Sequence, residues 1–202
     1  MTAIVVPFRG PDGKTRLHES RHTRRTLALA MLGDVLAACA AVGQTTVVTA
    51  DEEARRLAVD LAIATTVDPG GGQGPAVASA LQGLEPGAIV VVNADVPCVV
   101  PHDLRALLAA TPAGGIALVE ALDGTTNALS LPTPEVFAPL YGRDSAARFR
   151  ARARELGLEA VAAAIPNLVD DVDTIDDLQR VGLRAGPRTQ AALAEVSTEV
   201  SS

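Results

Sequence analysis

Aromatic residues are almost missing from this chain: three Phe, one Tyr and no Trp, 2% of 202 residues, against a hydrophobic content of 48%. Any core must therefore be built from Ala, Val and Leu, as in Ala-rich α/β proteins. Cysteine is nearly missing too. Cys39 and Cys98 are far apart and lack metal-ligand spacing, so both read as small core hydrophobes in a reducing compartment, the cytoplasm. No stretch reaches the roughly 18 apolar residues of a membrane helix, so no membrane partner is expected. The start MTAIVVPFRG lacks a basic region followed by a long apolar run, so no signal peptide is expected. Positive charge is in deficit: 17 Lys and Arg against 24 Asp and Glu give a net charge of −7. That disfavours a nucleic-acid groove but not a small anionic ligand, because local arginines or a metal override the mean field. His18, His22 and His102 form no triad, there is no C-x-x-C, and no internal repeat is found.

What is present is alternation. Residues 3–6 read as a first strand ending at Pro7, followed by a polar, glycine-bearing loop. The stripe Leu27, Met31 and Val35, with Leu32, Leu36 and Cys39 beside it, predicts a helix over residues 21–42 closed by Gly43. Residues 45–49 predict a strand, and Asp51 an N-cap ahead of a short helix with acids in its first turn. Residues 62–67 predict a strand, and residues 76–84 a helix after a glycine run. Residues 88–92, AIVVV, read as a fully buried strand that breaks to Asn93, Ala94 and Asp95 before Pro97, with a helix over residues 101–110. This pattern predicts an α/β fold: a single three-layer Rossmann-like domain, a mostly parallel mixed sheet with helices on both faces. Residues 116–122 and 126–131 flank Asp123-Gly124 and read as a small antiparallel insertion or edge. Ser145 and Thr174 are expected to cap two later helices. The domain is drawn at residues 1–186, with residues 187–202 as a C-terminal helix or loosely ordered tail.

Ligands of open α/β sheets collect at the carboxyl ends of strands, which singles out Asp95. It reads either as a turn cap or as a carboxylate for a nucleotide-bound metal. Asp171 and Asp173 are the distant acids that could complete such a site, since Mg2+ takes one or two carboxylates plus phosphate oxygens. Acids ahead of a helix are commonly caps, and Asp176 and Asp177 read that way. The loop after the first strand carries Arg9, Lys14 and Arg16 with Gly10 and Gly13. It fails the Walker A pattern, because Phe8 stands where the first glycine belongs. Three cations and two glycines at a strand's end still suit a triphosphate. Gly70, Gly71, Gly72 and Gly74 either press backbone against a base or ribose or form a plain loop. Gly142 and Ser145, with Arg148 one turn in, suit a phosphate or carboxylate. Thr125, Thr126 and Asn127 are polar in an apolar hairpin and either satisfy backbone or face a ligand.

Taken in order, P-F-R-G…G-K-T-R-L (residues 7–17), the glycine run, N-A-D-x-P (93–97), D-G-T-T-N-A-L (123–129), Y-G-x-x-S-x-x-R-F (141–149) and D-x-D-T-x-x-D-L (171–178) resemble one family. It is that of the 2-phospho-L-lactate or phosphoenolpyruvate guanylyltransferases of coenzyme F-420 biosynthesis, nucleotidyltransferases with a glycosyltransferase-A-like fold. The resemblance covers roughly residues 4–186.

The resemblance implies GTP as the nucleotide, a small phosphorylated three-carbon acid as acceptor, and Mg2+ as cofactor. Arg9, Gly10, Gly13, Lys14 and Arg16 would hold the triphosphate, Lys14 stabilising charge as pyrophosphate leaves. Gly72, Gln73 and Gly74 would approach guanine. Asp95 and Asp173 would hold Mg2+, and Thr125 or Thr126, Gly142 and Ser145 would bind the acceptor. The family often carries a second acid near Asn93; an amide stands there, which leaves a second metal open. An acceptor phosphate dianion needs no base, in keeping with the lack of a triad. Two alternatives remain: a related nucleotidyltransferase with another acceptor, of molybdopterin type, and a non-catalytic nucleotide-binding homologue. A homodimer stays open, with no apolar stripe beyond the core to demand it.

Overall fold

The computed structural model describes residues 2–10 and 20–200. The chain runs β1 (Ala3–Pro7), α1 (Arg21–Ala40), β2 (Gln44–Val48), α2 (Glu52–Asp60), β3 (Ala64–Thr66), α3 (Gln73–Leu81), β4 (Ile89–Val92) and α4 (Pro101–Ala110). It continues through β5 (Ile116–Glu120), β6 (Thr126–Leu131), a 3-10 turn at Pro134–Val136, α5 (Ser145–Glu155), β7 (Ala160–Ala162), α6 (Pro166–Val169), α7 (Ile175–Val181) and α8 (Pro187–Val200).

Among the described residues, seven strands form one sheet of order β3-β2-β1-β4-β6-β5-β7. β1 pairs in parallel with β2 and β4, β2 with β3, and β5 with β7. β6 runs against both of its neighbours. The antiparallel hairpin is thus an insertion inside the sheet rather than an edge.

Side chains alternate along the strands, and the helices cover both faces. Ile4, Val6, Val90 and Val92 pack with Leu32 and Leu36 of α1, Ala54 and Ala58 of α2, and Leu104 and Leu107 of α4. Val5, Ile89 and Val91 pack on the other face with Ala76, Val77 and Leu81 of α3 and Ala146, Phe149 and Ala153 of α5. A mostly parallel sheet covered on both faces needs strands that are apolar throughout, which the wholly buried run Ile89–Val92 supplies.

Asp51 caps α2, accepting from the Glu53 and Ala54 N–H groups. Thr174 and Asp177 make a reciprocal capping box on α7. The cap of α5 differs from expectation: Asp144, with φ 54°, occupies that position, and Ser145 is the first helical residue. Helix α3 also begins earlier than the glycine run suggested, at Gln73.

The C-terminal segment is a helix docked on α1, not a loose tail. Leu27 and Met31 of α1 meet Leu178 and Val181 of α7 and Ala192 of α8 in a third apolar cluster. Asp34, buried in the middle of α1, accepts hydrogen bonds from the N–H groups of Arg188 (3.1 Å) and Thr189 (2.8 Å). It caps α8 from 154 residues away in sequence. Gly186 lies so close that a Cβ there would sit 2.3 Å from Asp34 Cγ.

Asp34→Ala leaves two N–H groups at a buried helix start without their acceptor. It is expected to lower unfolding stability by about 1–3 kcal/mol, and Asp34→Asn by less because one acceptor oxygen remains. Urea denaturation of the variants checks this; equal midpoints for all three proteins would contradict the capping role.

Candidate active site

β1 is the switch point of the sheet. The chain leaves it on one side for β2 and β3, then returns through α3 to place β4 on the other. Diverging connections open a crevice beyond the carboxyl ends of β1 and β4, where ligands of such folds bind. A cleft of about 210 Å³ lies there. Pro7, Phe8, Arg9 and Gly10 line it from the end of β1, Ala28 and Met31 from α1, Gln73 from α3, Asn93 and Asp95 from beyond β4, and Asp173 from the segment before α7.

Asp95 and Asp173, widely separated in sequence, meet in this cleft. A third acid joins them: one carboxylate oxygen each from Asp95, Asp171 and Asp173 lies within 4.8 Å of the others. The D-D-V-D run explains how. It is extended, so side chains alternate. Asp173 lines the cleft and Asp171 joins it in the acid cluster, whereas Val172 is buried among Leu178 and Val181, and Asp170 pairs with Arg180 and Arg184. The Val172 N–H donates to the Asp95 carbonyl at 2.9 Å, which ties the two acid-bearing segments together.

Burial pushes the Asp171 carboxyl up to about 6, and the charges of Asp95 and Asp173 push in the same direction; a hydrogen bond from Asn127 opposes them. Three hard oxygen donors, half-buried and mutually repelling, form a donor set that fits Mg2+. Sequence reasoning raised both Asp171 and Asp173 as partners of Asp95, and the family resemblance gave the metal to Asp95 and Asp173 alone; the structure brings all three together.

The glycine run leads into α3 beside the cleft, which Gln73 lines. Gly70, Gly71 and Gly72 all have positive φ, and Gly72, at φ 104°, is the N-cap of α3. An L side chain would be strained there. Gly74 serves a different end, since a Cβ on it would lie 2.7 Å from Pro139 Cβ. Its small size lets the loop before α5 pack against α3. Gln73 is fixed from its far end: its Nε2 donates to Asn93 Oδ1 at 2.6 Å. Asn93 Nδ2 faces Asn127 Oδ1 (3.2 Å) and the Thr126 carbonyl (3.3 Å). Asn93 is therefore a link between α3 and β6, and the acid cluster forms without it.

Of the residues expected to bind the acceptor, Thr126 and Ser145 come together. Both are buried, with their hydroxyls 3.0 Å apart. The Thr125 hydroxyl is instead committed to the hairpin turn, donating to Asp123 Oδ1 at 2.7 Å. Gly142 has φ 106° in the loop leading to α5. Arg148 clamps that loop by donating from Nη2 to the carbonyls of Tyr141 (3.0 Å) and Arg143 (2.8 Å). The expected triphosphate residues Gly13, Lys14 and Arg16 lie outside the described residues; Arg9 and Gly10 are in the cleft wall.

The arrangement offers an acid cluster that could hold a metal ion, a glycine loop at a helix start, and two buried hydroxyls in contact at the start of α5. The comparisons with known proteins agree with it. A family model described as Guanylyl transferase CofC like matches residues 2–201. A phosphoenolpyruvate guanylyltransferase of Roseiflexus castenholzii is 35% identical over 176 residues, covering 86% of this chain and 82% of its own. One of Streptomyces coelicolor is 37% identical over 209 residues and 96% of each chain. A crystal structure of a protein from Desulfovibrio desulfuricans G20, described as a nucleotide-diphospho-sugar transferase, superposes with a TM-score of 0.76 at 19% identity, over 98% of this chain and 95% of that one. The last likeness establishes the fold, and the full-length matches establish descent: the chain belongs to the CofC-like guanylyl transferase family.

Proposed function

We propose that the protein transfers GMP from GTP to the phosphate of phosphoenolpyruvate, releasing pyrophosphate. The observation that carries this reading is the meeting of Asp95, Asp171 and Asp173 beside the glycine loop at the switch point, in a family whose relatives are named for this reaction. It is the guanylyl step of coenzyme F-420 assembly.

In the reaction an acceptor phosphate oxygen bonds to the α-phosphorus of GTP. The bond from that phosphorus to the bridging oxygen of the leaving group breaks, and pyrophosphate departs with the electron pair. No proton has to move, because the acceptor oxygen is already anionic. Asp95, Asp171 and Asp173 would hold Mg2+, which when bound neutralises phosphate charge and orients the triphosphate. Arg9 and Gly10, with Gly13, Lys14 and Arg16 of the loop they begin, bind the triphosphate, and Lys14 offsets the charge on pyrophosphate. Gly72, Gln73 and Gly74 form the base side. Thr126, Gly142 and Ser145, at the amino end of α5, receive the three-carbon acid, and Thr125 shapes the turn beside them. Rate enhancement then comes from alignment and charge neutralisation rather than acid–base catalysis.

Incubation with GTP, Mg2+ and phosphoenolpyruvate is expected to give pyrophosphate and a product whose mass equals that of GMP joined to phosphoenolpyruvate through a diphosphate. Chelation by EDTA should stop it, and Asp173→Asn should lower kcat/KM by about 100-fold or more. A panel of four nucleoside triphosphates and several acceptors, 2-phospho-L-lactate and a molybdopterin among them, tests the choice of partners. Turnover with a different pair alone would overturn the assignment.

The Asp171 carboxyl sets a pH dependence. Its pKa in the folded chain, about 6, is above the ordinary 3.8. The metal-free fold therefore gains stability as pH falls through 6 and loses it as pH rises, while Mg2+ binding needs the ionised form. The rise in melting temperature on adding Mg2+ is expected to grow from pH 5 to pH 7.5, and Asp171→Asn should flatten that growth. Thermal melts in Mg2+ and in EDTA across this range measure it; a gain independent of pH would contradict it.

A further inference from the structure

Asn127 is buried to 1% exposure on β6, a strand otherwise free to be apolar. A buried amide is costly unless its oxygen and both hydrogens are used. Here the oxygen accepts from Asn93 Nδ2 at 3.2 Å, and Nδ2 donates to the Val169 carbonyl at 3.1 Å, two residues ahead of Asp171. Every amide in the series points the same way. Gln73 donates to Asn93, Asn93 to Asn127, and Asn127 to the segment carrying Asp171. An Asp at position 93 would turn an acceptor toward Asn127 Oδ1 and the Thr126 carbonyl, two further acceptors. An amide is thus the residue this position requires.

A backbone irregularity aims Asn127. The ladder between β5 and β6 pairs Val119 with Ala128 and then Glu120 with Thr126, so Asn127 is one residue too many. Ala128 faces the α1/α4 side of the sheet and Leu129 the α3/α5 side. Unbroken alternation would send Asn127 to the α3/α5 side and Thr126 to the other. The bulge reverses both. Asn127 reaches Val169 beside the acid cluster, and Thr126 reaches Ser145 at the start of α5. Bulges of this kind re-aim side chains next to functional sites.

From the bulge and the one-way amide chain we propose that Asn127 is a positioning residue: it holds the Asp171-bearing segment in the metal site and, through Asn93, sets that site against the Gln73 side of the cleft. The inference rests on the reading of Asp95, Asp171 and Asp173 as the metal site.

The test is a double-mutant cycle on Mn2+ affinity, read by electron paramagnetic resonance of free Mn2+ on the full chain, with no turnover involved. Asn127→Leu keeps the volume and removes the hydrogen bonds. It is expected to weaken Mn2+ binding about 10- to 100-fold in the otherwise native chain and less than about two-fold in an Asp171→Asn background. Asn127→Ser, smaller and polar, should show the same pattern and serves if the Leu variant does not fold. An affinity within two-fold of native for the variant, or an equal loss in both backgrounds, would overturn the positioning role while leaving the metal site standing. A native Mn2+ affinity for Asp171→Asn alone would overturn the metal site and this inference with it.

Discussion

Three carboxylates within 4.8 Å of one another in a half-buried cleft repel, and the rest of the structure is arranged around holding them there. Their sources are the loop beyond β4 and the extended run before α7. The backbone bond from Val172 to Asp95 closes the gap between these segments. Asp170 anchors the run outward through Arg180 and Arg184, and the Thr174–Asp177 box fixes where it turns into helix. A cation is the natural counterweight to such a cluster. On the function proposed above, a metal-bound triphosphate would bring the charge that relieves this repulsion.

The reversed strand has a chemical reason. A strand parallel to β4 would bring its carboxyl end to the cleft, with its amino end on the far side of the sheet. Because β6 runs antiparallel, with Val92 opposite Ala128, its first residues arrive where β4 ends. Thr126 and Asn127 then stand just beyond the carboxyl end of β4, where the Asn93 N–H donates to the Asn127 carbonyl. A single reversal and a single extra residue thereby bring Thr126 to Ser145 and Asn127 to the segment that carries Asp171.

Much of this was legible in the sequence. Apolar runs ending abruptly in polar residues marked β1 and β4, and helix caps marked α2 and α7. Motif order carried the family, and Asp95 and Asp173 were found because acids at strand ends are distinctive. What escaped was whatever depends on orientation. Asp171 was in view as a candidate, but the resemblance gave the metal to Asp95 and Asp173, and only the folded chain shows that Asp171, rather than its identical neighbour Asp170, joins them. Thr126 to Leu131 reads as a regular strand, because a bulge leaves no trace in the order of polar and apolar residues. Ser145 looked like a cap because its hydroxyl suits that role, yet Asp144 takes the left-handed position and frees Ser145 to meet Thr126. The docking of α8 was hidden because its cap is an aspartate in the middle of α1, far away along the chain.

That remote cap makes α8 part of the cleft's foundation. Met31 of α1 lines the cleft on one side and, on the other, packs into the cluster that contains Ala192 of α8. The last helix is a buttress behind the wall that GTP would lean on. Losing it would strip the support from one turn of α1 while leaving the residues that face the cleft unchanged in identity.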